Sequence, residues 1–306
     1  MRIFHLSIVA LLVFLSCKEN KNGQKDKYSA DFVEVLGPKG KGIFDSVNVP
    51  NHLKNEIKGI SKLNYFDSGV EGKKFSYNEE ISPFTEFLKL KSKANIKELY
   101  QLTFNKNQVV SLYSYIAVAE RIPELNPIFY SRLLNIKDKI YSENGCLVGE
   151  LHPSEIFYNE YLNQVDEDQT KDDKTLRKLD SISVFNSNAT KYVLNQALRH
   201  RIYPECFQKR FEELAFERKD PYALLYMSKN FRERYKGKLP LTIISYLKIT
   251  ANNQYQDYSR NALILELMKY KNPSNKNLIE KLLENNFILK DNKEVNLLKE
   301  ANGILK

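Results

Sequence analysis

Cys146 and His152 come closest in this sequence to a nucleophilic site. They lie six residues apart in the turn-rich stretch SENGCLVGELHP. A catalytic thiolate needs a base beside it and a third group that orients the base, and no residue at a regular spacing supplies that third group. The pattern therefore favours a structural loop over Cys/His chemistry, and we predict no catalytic residues.

An acidic run, DEDQTKDDKTLR, follows and offers carboxylates that could bind a cation. Three of its aspartates match the first, third and seventh positions of a calcium loop: Asp166, Asp168 and Asp172. Lys171, however, stands where that loop requires glycine, and Arg177 where it requires a bidentate glutamate. The sequence therefore excludes an EF-hand, and we predict no metal site and no cofactor. Three interpretations are left for the segment near 143–175: a solvated acidic linker, a recognition loop, or casual binding of a cation by its neighbouring carboxylates.

Two clusters join arginines to tyrosines, in the stretches RHRIYPEC and FRERYKGK. Their members are Arg199, Arg201, Tyr203, Arg232, Arg234 and Tyr235. Cations at the C-terminal end of a helix interact favourably with its dipole, which is a structural explanation for most of them. The functional alternative is a basic, tyrosine-bearing surface that binds an acidic glycan or an acidic loop of a partner protein.

Cys146 and Cys206 are the two cysteines that follow Cys17. Outside the cytoplasm such a pair can oxidise to a disulfide, provided that the fold brings the two Cα atoms within reach. The alternative is a pair of free, buried thiols that pack as small apolar residues.

The N-terminus indicates the compartment. Arg2 precedes an almost purely apolar run from Leu6 to Leu15. That run has about half the length that a membrane-spanning helix needs, and it has the length of a signal-peptide core. We therefore predict a signal peptide over residues 1–16.

The Ser16–Cys17 ending resembles the lipobox of bacterial lipoproteins. In that family a signal peptidase cuts before the cysteine, and the thiol is then acylated. Family members usually carry leucine three positions before the cysteine, where this sequence has Phe14. The resemblance implies a palmitate-type lipid anchor at Cys17, a flexible tether over residues 17–30 and an extracytoplasmic place in a bacterial cell envelope. An ordinary cleaved signal or a short anchor helix is the alternative.

The formal net charge is +9, from 47 lysines and arginines against 38 aspartates and glutamates. The lysines are scattered among glutamates and form no long basic block, which is typical of a solvated surface. In an exported protein this excess does not indicate nucleic acid, so we predict no nucleic-acid partner.

From about Ser82 to the C-terminus, apolar residues recur at helical spacing between short polar breaks. The stretch LYQLTFNKNQVVSLYSYIAVA resembles HEAT-type α-solenoids, because a polar turn at 105–108 leads into a valine-rich helix with a small residue at Ala117 or Ala119. Ser111 stands where that family often has arginine. The resemblance implies an all-α fold of right-handed helical-hairpin repeats. A non-repeating helical bundle is the alternative.

Together these patterns predict a small irregular N-terminal subdomain over 31–81 and an α-helical repeat domain over 82–306, with an inserted loop near 143–175. We expect a membrane-anchored lipoprotein that acts as a non-catalytic scaffold for an envelope protein partner. The alternative is a glycan-binding or glycan-processing protein with its site in the segment near 143–175.

Overall fold

The computed structural model describes residues 32–37, 40–47, 49–69, 82–144, 147–199, 201–250, 258–284, 286–290 and 293–304. This part of the chain is predominantly helical with little strand, which confirms the all-α prediction at that level. The predicted signal peptide over 1–16, the lipidation site Cys17 and the tether over 17–30 lie outside the described residues, and so does Cys146. The predictions for them stay predictions.

The N-terminal region combines short strands with one helix. Its elements are β1 (Phe32–Gly37), β2 (Gly40–Asp45), α1 (Lys54–Leu63) and β3 (Phe66–Asp67). The first two strands form an antiparallel hairpin, and α1 buries Ile57 and Ile60. The helix ends at Asn64, whose left-handed φ of 53° turns the chain into β3. An asparagine tolerates this conformation better than most residues with a Cβ atom.

Helices follow in quick succession from Ser82. They are α2 (Pro83–Lys93), α3 (Ile96–Leu102), α4 (Gln108–Arg121) and α5 (Asn126–Leu133). Ser82 and Asn95 begin α2 and α3 with capping boxes, and the Asn107 side chain accepts from the first backbone N–H groups of α4. These caps satisfy backbone donors that have no partner inside the helix. The predicted turn at 105–108 and the helix after it are therefore confirmed.

The segment near 143–175 is not the loop that the sequence predicted. It begins in a hairpin and continues into a helix: β4 (Ile140–Asn144), β5 (Leu147–Leu151) and α6 (Pro153–Leu162). Ile156, Phe157 and Tyr158 of α6 are buried. The loop prediction was wrong there because these apolar residues fit against α4 and α5 despite the charged residues around them. Among the described residues of this segment, the stretch between α6 and residue 174 remains turn-like, with a short 3₁₀ turn at Glu167–Gln169.

The rest of the described chain is helical. Its elements are α7 (Lys174–Phe185), α8 (Lys191–Arg199), α9 (Gln208–Glu212) running into a π-helical turn (Glu213–Glu217), α10 (Pro221–Asn230), α11 (Leu239–Ile249), α12 (Tyr258–Met268), α13 (Lys276–Glu284), α14 (Phe287–Lys290) and α15 (Lys293–Ala301). Asp220 caps α10, because its side chain accepts from the backbone N–H groups of Tyr222 and Ala223.

The N-terminal region shares its core with the helices that follow. β3 pairs in parallel with β4, and β4 pairs antiparallel with β5, so residues 66–67 join the hairpin at 140–151. The buried cluster that contains Ile57 also contains Leu112 of α4 and Phe157 of α6. The predicted boundary at 81/82 therefore does not separate two hydrophobic cores.

The buried apolar side chains form two clusters. One runs from Val49 to Val193, and the other runs from Val184 to Val295. They overlap along the chain in α7 and α8, since each of these helices contributes to both clusters. This junction is where the candidate site lies.

Candidate functional site

A groove of about 1090 Å³ lies at the junction of the two clusters. It is lined by the turn before α7, by α7 itself, by residues 198–199 and 201–207, by the end of α10 and by the first residue of α12. We call it the basic groove. Its charged and large side chains are Lys171, Asp172, Arg177, Leu198, Arg199, Arg201, Ile202, Tyr203, Phe207, Lys229 and Tyr258.

The groove brings together the first of the two arginine–tyrosine clusters. Arg199, Arg201 and Tyr203 all line it, but only Arg199 presents an exposed side chain. The Tyr203 hydroxyl donates to the carbonyl oxygen of Ala197 at 2.6 Å, and the Tyr203 N–H donates to the Tyr226 hydroxyl at 3.0 Å. Burial raises the pKa of Tyr203 well above its ordinary value. Tyr203 is therefore an uncharged, buried side chain that supports the groove from within.

Arg201 connects its own segment to α7 and to the turn before α7. Its side chain is 7% exposed, and its Nε–H donates to Oδ2 of Asp180 at 2.6 Å. Its two terminal nitrogens donate to the carbonyl oxygens of Lys171, at 2.7 Å, and Thr170, at 3.0 Å. The guanidinium thus holds the turn before α7 against α7 itself. Arg201 builds the groove and has little surface left for a ligand.

Asp180 receives a second strong hydrogen bond from the other side. The Tyr158 hydroxyl of α6 donates to Oδ1 of Asp180 at 2.6 Å. Burial raises the pKa of Asp180 to about 6, although the hydrogen bond from Tyr158 and the charge and hydrogen bond of Arg201 lower it. The cost of removing the carboxylate from water therefore exceeds the stabilisation by its two partners.

Three cations of the groove have exposed side chains and form no ion pair with any described residue. They are Lys171, Arg199 and Lys229. Arg177 is different, because it pairs with Asp172 at 3.0 Å on the surface. Arg199 and Lys229 stand in the last turns of α8 and α10, where the helix dipole favours a cation by tenths of a kcal/mol. That interaction leaves their charges available to a ligand.

Two large apolar side chains stand beside these cations. Ile202 is 78% exposed and Tyr258 is 72% exposed. The sequence analysis predicted neither residue as part of a binding surface. An isoleucine between polar residues and a tyrosine at the start of a helix are both typical of buried core positions. The groove therefore combines exposed positive charge with apolar surface.

The second arginine–tyrosine cluster does not line the groove, and acidic residues neutralise it. Arg232 pairs with Glu266 and lies over the Tyr270 ring. Arg234 pairs with Glu205 at 3.2 Å. Those two arginines have structural partners.

Tyr235, the third member of that cluster, is also engaged. Its hydroxyl donates to the Glu212 carboxylate. The Gln208 side chain amide donates to the same hydroxyl. These contacts tie the chain after α10 to α9.

His152 has a structural role. Its Nε2 lies 2.7 Å from the carbonyl oxygen of Ile136, and its Nδ1 accepts from the backbone N–H of Ser154 at 3.2 Å. A carbonyl oxygen can only accept, so Nε2 carries the proton and the ring serves as the N-cap of α6. Its supposed partner Cys146 lies outside the described residues.

Cys206 is exposed and has a free thiol in the structure. It stands in the 3₁₀ turn Glu205–Phe207, whose last residue, Phe207, lines the groove. Because Cys146 is not described, the pairing of these two cysteines stays a prediction.

Asp173 of the acidic run forms hydrogen bonds with residues close to it in the chain. Asp173 accepts from the N–H of Leu176 at 2.6 Å, which caps α7, and also accepts from the Tyr161 hydroxyl at 3.1 Å. Among the residues that the structure describes, no three His, Cys, Asp or Glu side chains lie close enough together to hold a metal ion.

A pair of glutamates that the sequence did not reveal lines a smaller cavity of about 130 Å³ between α4 and α6. Burial, and then the negative charge of Glu120, raise the pKa of Glu160 to about 7. Glu120 itself pairs with Lys91. Forty positions separate the two glutamates in the chain, so no local spacing could have identified them.

No helix in the described ranges has the length and apolarity that crossing a membrane requires. Comparisons of the chain with family models, with curated proteins and with solved structures found no match. Its function has to be inferred from its own residues and their geometry.

Proposed function

We propose that this chain is a non-catalytic scaffold protein of a bacterial envelope, anchored through an acylated Cys17, that binds a partner protein through the basic groove. The observation that carries this proposal is the combination, in one concave surface, of two exposed apolar side chains and three cations that form no ion pair with a described residue. Surfaces of this kind are typical of recognition sites. The catalytic candidates of the sequence, in contrast, have structural partners or lie outside the described residues.

The anchor is proposed on the sequence of the first 17 residues. A basic start, a short apolar core and a Ser-Cys ending together support acylation. Two or more acyl chains hold a protein on a bilayer stably, since each buried methylene adds roughly 0.8 kcal/mol. The polar tract KENKNGQKDK would then let the folded part reach a partner in the same envelope.

We further propose that the helices stack as right-handed HEAT-like hairpins. In support, α3 packs on α4, α5 on α6 and α7, α7 on α8, and α10 on α11 and α12, as expected of neighbours in a stack. An experimental structure in which successive hairpins are related by a common rotation would support the solenoid. A structure without that relation would favour a non-repeating bundle.

The proposed function is tested by capture from gently solubilised membranes. The tagged full chain is compared with the double variant Arg199→Glu/Lys229→Glu and with the control Lys58→Glu/Lys97→Glu, which makes the same charge change at exposed lysines outside the groove. We expect a stoichiometric protein partner with the wild type and the control, and its loss with the groove variant. Equal recovery with all three forms contradicts the proposal.

An acidic glycan is the second candidate ligand. It is supported by the exposed Tyr258 ring beside the cations and by Lys171, which brings the end of the segment 143–175 into the groove. Glycan processing has less support. Glu120 and Glu160 both line one cavity, but its volume of about 130 Å³ is below the roughly 300–1,000 Å³ of ligand pockets.

A further inference from the structure

The cations of the basic groove come from three different elements. Lys171 lies in the turn before α7, Arg199 at the end of α8 and Lys229 near the end of α10. Like charges collected in one concavity repel one another, and the concavity strengthens their joint potential. A ligand with two or more negative charges relieves this repulsion, whereas a neutral ligand does not.

The groove is organised before any ligand binds. Arg201 holds the carbonyl oxygens of Thr170 and Lys171, and its charge is matched by the buried Asp180. The backbone that carries Lys171 is thereby fixed relative to α7. A preformed site saves the ordering cost of binding, so a short segment can bind it with useful affinity.

The apolar side chains determine which anionic ligand fits. Ile202 exposes more than three quarters of its surface next to the cations. Contact with an apolar side chain of a ligand would remove that surface from water, at roughly 25 cal/mol for each Å². An acidic polysaccharide has carboxylates but no comparable apolar group, whereas a peptide can place a Phe, Leu or Ile beside its acidic residues.

Resting on the proposed function, we infer that the basic groove binds a peptide segment of the partner that carries at least two carboxylates next to one large apolar side chain. The carboxylates contact Arg199, Lys229 and Lys171. The apolar side chain packs on Ile202 and Tyr258.

The test uses a displayed library of random twelve-residue peptides, selected on the purified full chain in detergent. Counter-selection on Arg199→Glu/Lys229→Glu isolates the peptides that require the groove. We expect those peptides to be enriched in Asp and Glu and to share a large apolar residue. Groove-dependent peptides without acidic enrichment, or an absence of groove-dependent peptides, overturn the inference.

A second variant separates the two halves of the site. For a selected peptide, Ile202→Ser removes the apolar surface without changing the charge of the groove and should weaken binding about tenfold or more, as truncation of an interface anchor does. The control Leu241→Ser changes another highly exposed aliphatic side chain that does not line the groove, and it should leave binding unchanged. If Ile202→Ser has no effect, the apolar half of the inference is wrong. If polygalacturonate binds more tightly than the peptides and is insensitive to Ile202→Ser, the ligand is an acidic glycan.

These outcomes are distinct from a failure of the proposed function. A membrane partner that is lost with Arg199→Glu/Lys229→Glu, while no acidic peptide requires the groove, leaves the scaffold proposal standing and refutes the peptide chemistry. A groove whose charge reversal affects neither the captured partner nor the peptides refutes both.

Discussion

Arg201 and Asp180 form a buried ion pair at the edge of the basic groove, with 2.6 Å between Nε and Oδ2. Their side chains are 7% and 3% exposed, and they lie 21 positions apart in the sequence. The same guanidinium holds the turn that carries Lys171. The interaction therefore links the packing of α7 to the shape of the proposed binding surface.

Loss of this pair should destabilise the protein. Arg201→Met leaves Asp180 without its cation, and breaking a buried pair in this way costs about 3–5 kcal/mol. We expect that decrease in the free energy of unfolding from urea denaturation at pH 7.5. The double variant Arg201→Met/Asp180→Asn removes the stranded charge and should recover most of the loss. A double variant as unstable as the single one would show that the charge pairing is not the cause.

The stability deficit of Arg201→Met should shrink in acid. Burial places the pKa of Asp180 near 6 in the folded protein, above its ordinary value of 3.8, so the folded state takes up a proton between these two values. Protonation of this group therefore stabilises the fold, fully below pH 3.8, and the stabilisation is lost as pH rises through 6. Arg201 lowers this pKa in the wild type, so its removal raises the pKa further, and the variant gains more stability from acid than the wild type does. Urea denaturation at pH 5 and pH 7.5 measures the difference, and a deficit independent of pH would contradict the expectation.

Glu160 should make the protein less stable in alkaline solution. Burial and the Glu120 charge raise the pKa of Glu160 from 4.5 to about 7, so its ionisation opposes folding as pH rises through 7. Glu160→Gln should therefore be more stable than the wild type at pH 8.5 and equally stable at pH 4. The control is Glu124→Gln, at an exposed position. The melting temperatures of the wild type and the variant are measured at both pH values. A difference between the two proteins that is the same at pH 4 and pH 8.5 would contradict a titration effect.

Tyr113 should be required for the attachment of the N-terminal region. Its buried hydroxyl donates to the carbonyl oxygen of Asp67 and accepts from the N–H of Asp67, both at 2.8 Å. Tyr113→Phe leaves two buried backbone groups without that partner, which costs about 1–3 kcal/mol. Hydrogen exchange at Phe66 and Asp67 should accelerate in this variant. Tyr115→Phe, two positions along α4, is the matched control, and equal effects of the two variants would refute the role of this hydrogen-bond pair.

Cys17 should determine membrane attachment. In a bacterial host, Cys17→Ala should release the protein from the membrane fraction and remove the acyl mass, because no other proposed group inserts into the bilayer. Cys206→Ala changes the exposed thiol and should leave both properties unchanged. Sedimentation of membranes and intact-mass spectrometry provide the readouts. A Cys17→Ala protein that still sediments with membranes and shows no change in acyl mass would refute the lipid anchor.

Features that depend on a few neighbouring residues could be predicted from the sequence. Asp220, directly before Pro221, is identifiable as a helix cap because a cap is a contact with N–H groups two or three positions away. Apolar spacing likewise revealed the helices after Ser82. The helix over 153–162 was not predicted. The glycines and charged residues around it indicated a loop, although Ile156 and Phe157 are apolar.

Only the tertiary structure decided which charged residues are available to a ligand. Arg199 and Arg201 are two positions apart and look equivalent in the sequence, yet one is exposed and the other is committed to Asp180. Ile202 and Glu160 owe their properties to surfaces brought together from distant segments. Local propensity is encoded within a turn of helix, whereas burial and pairing depend on contacts between residues far apart in the chain.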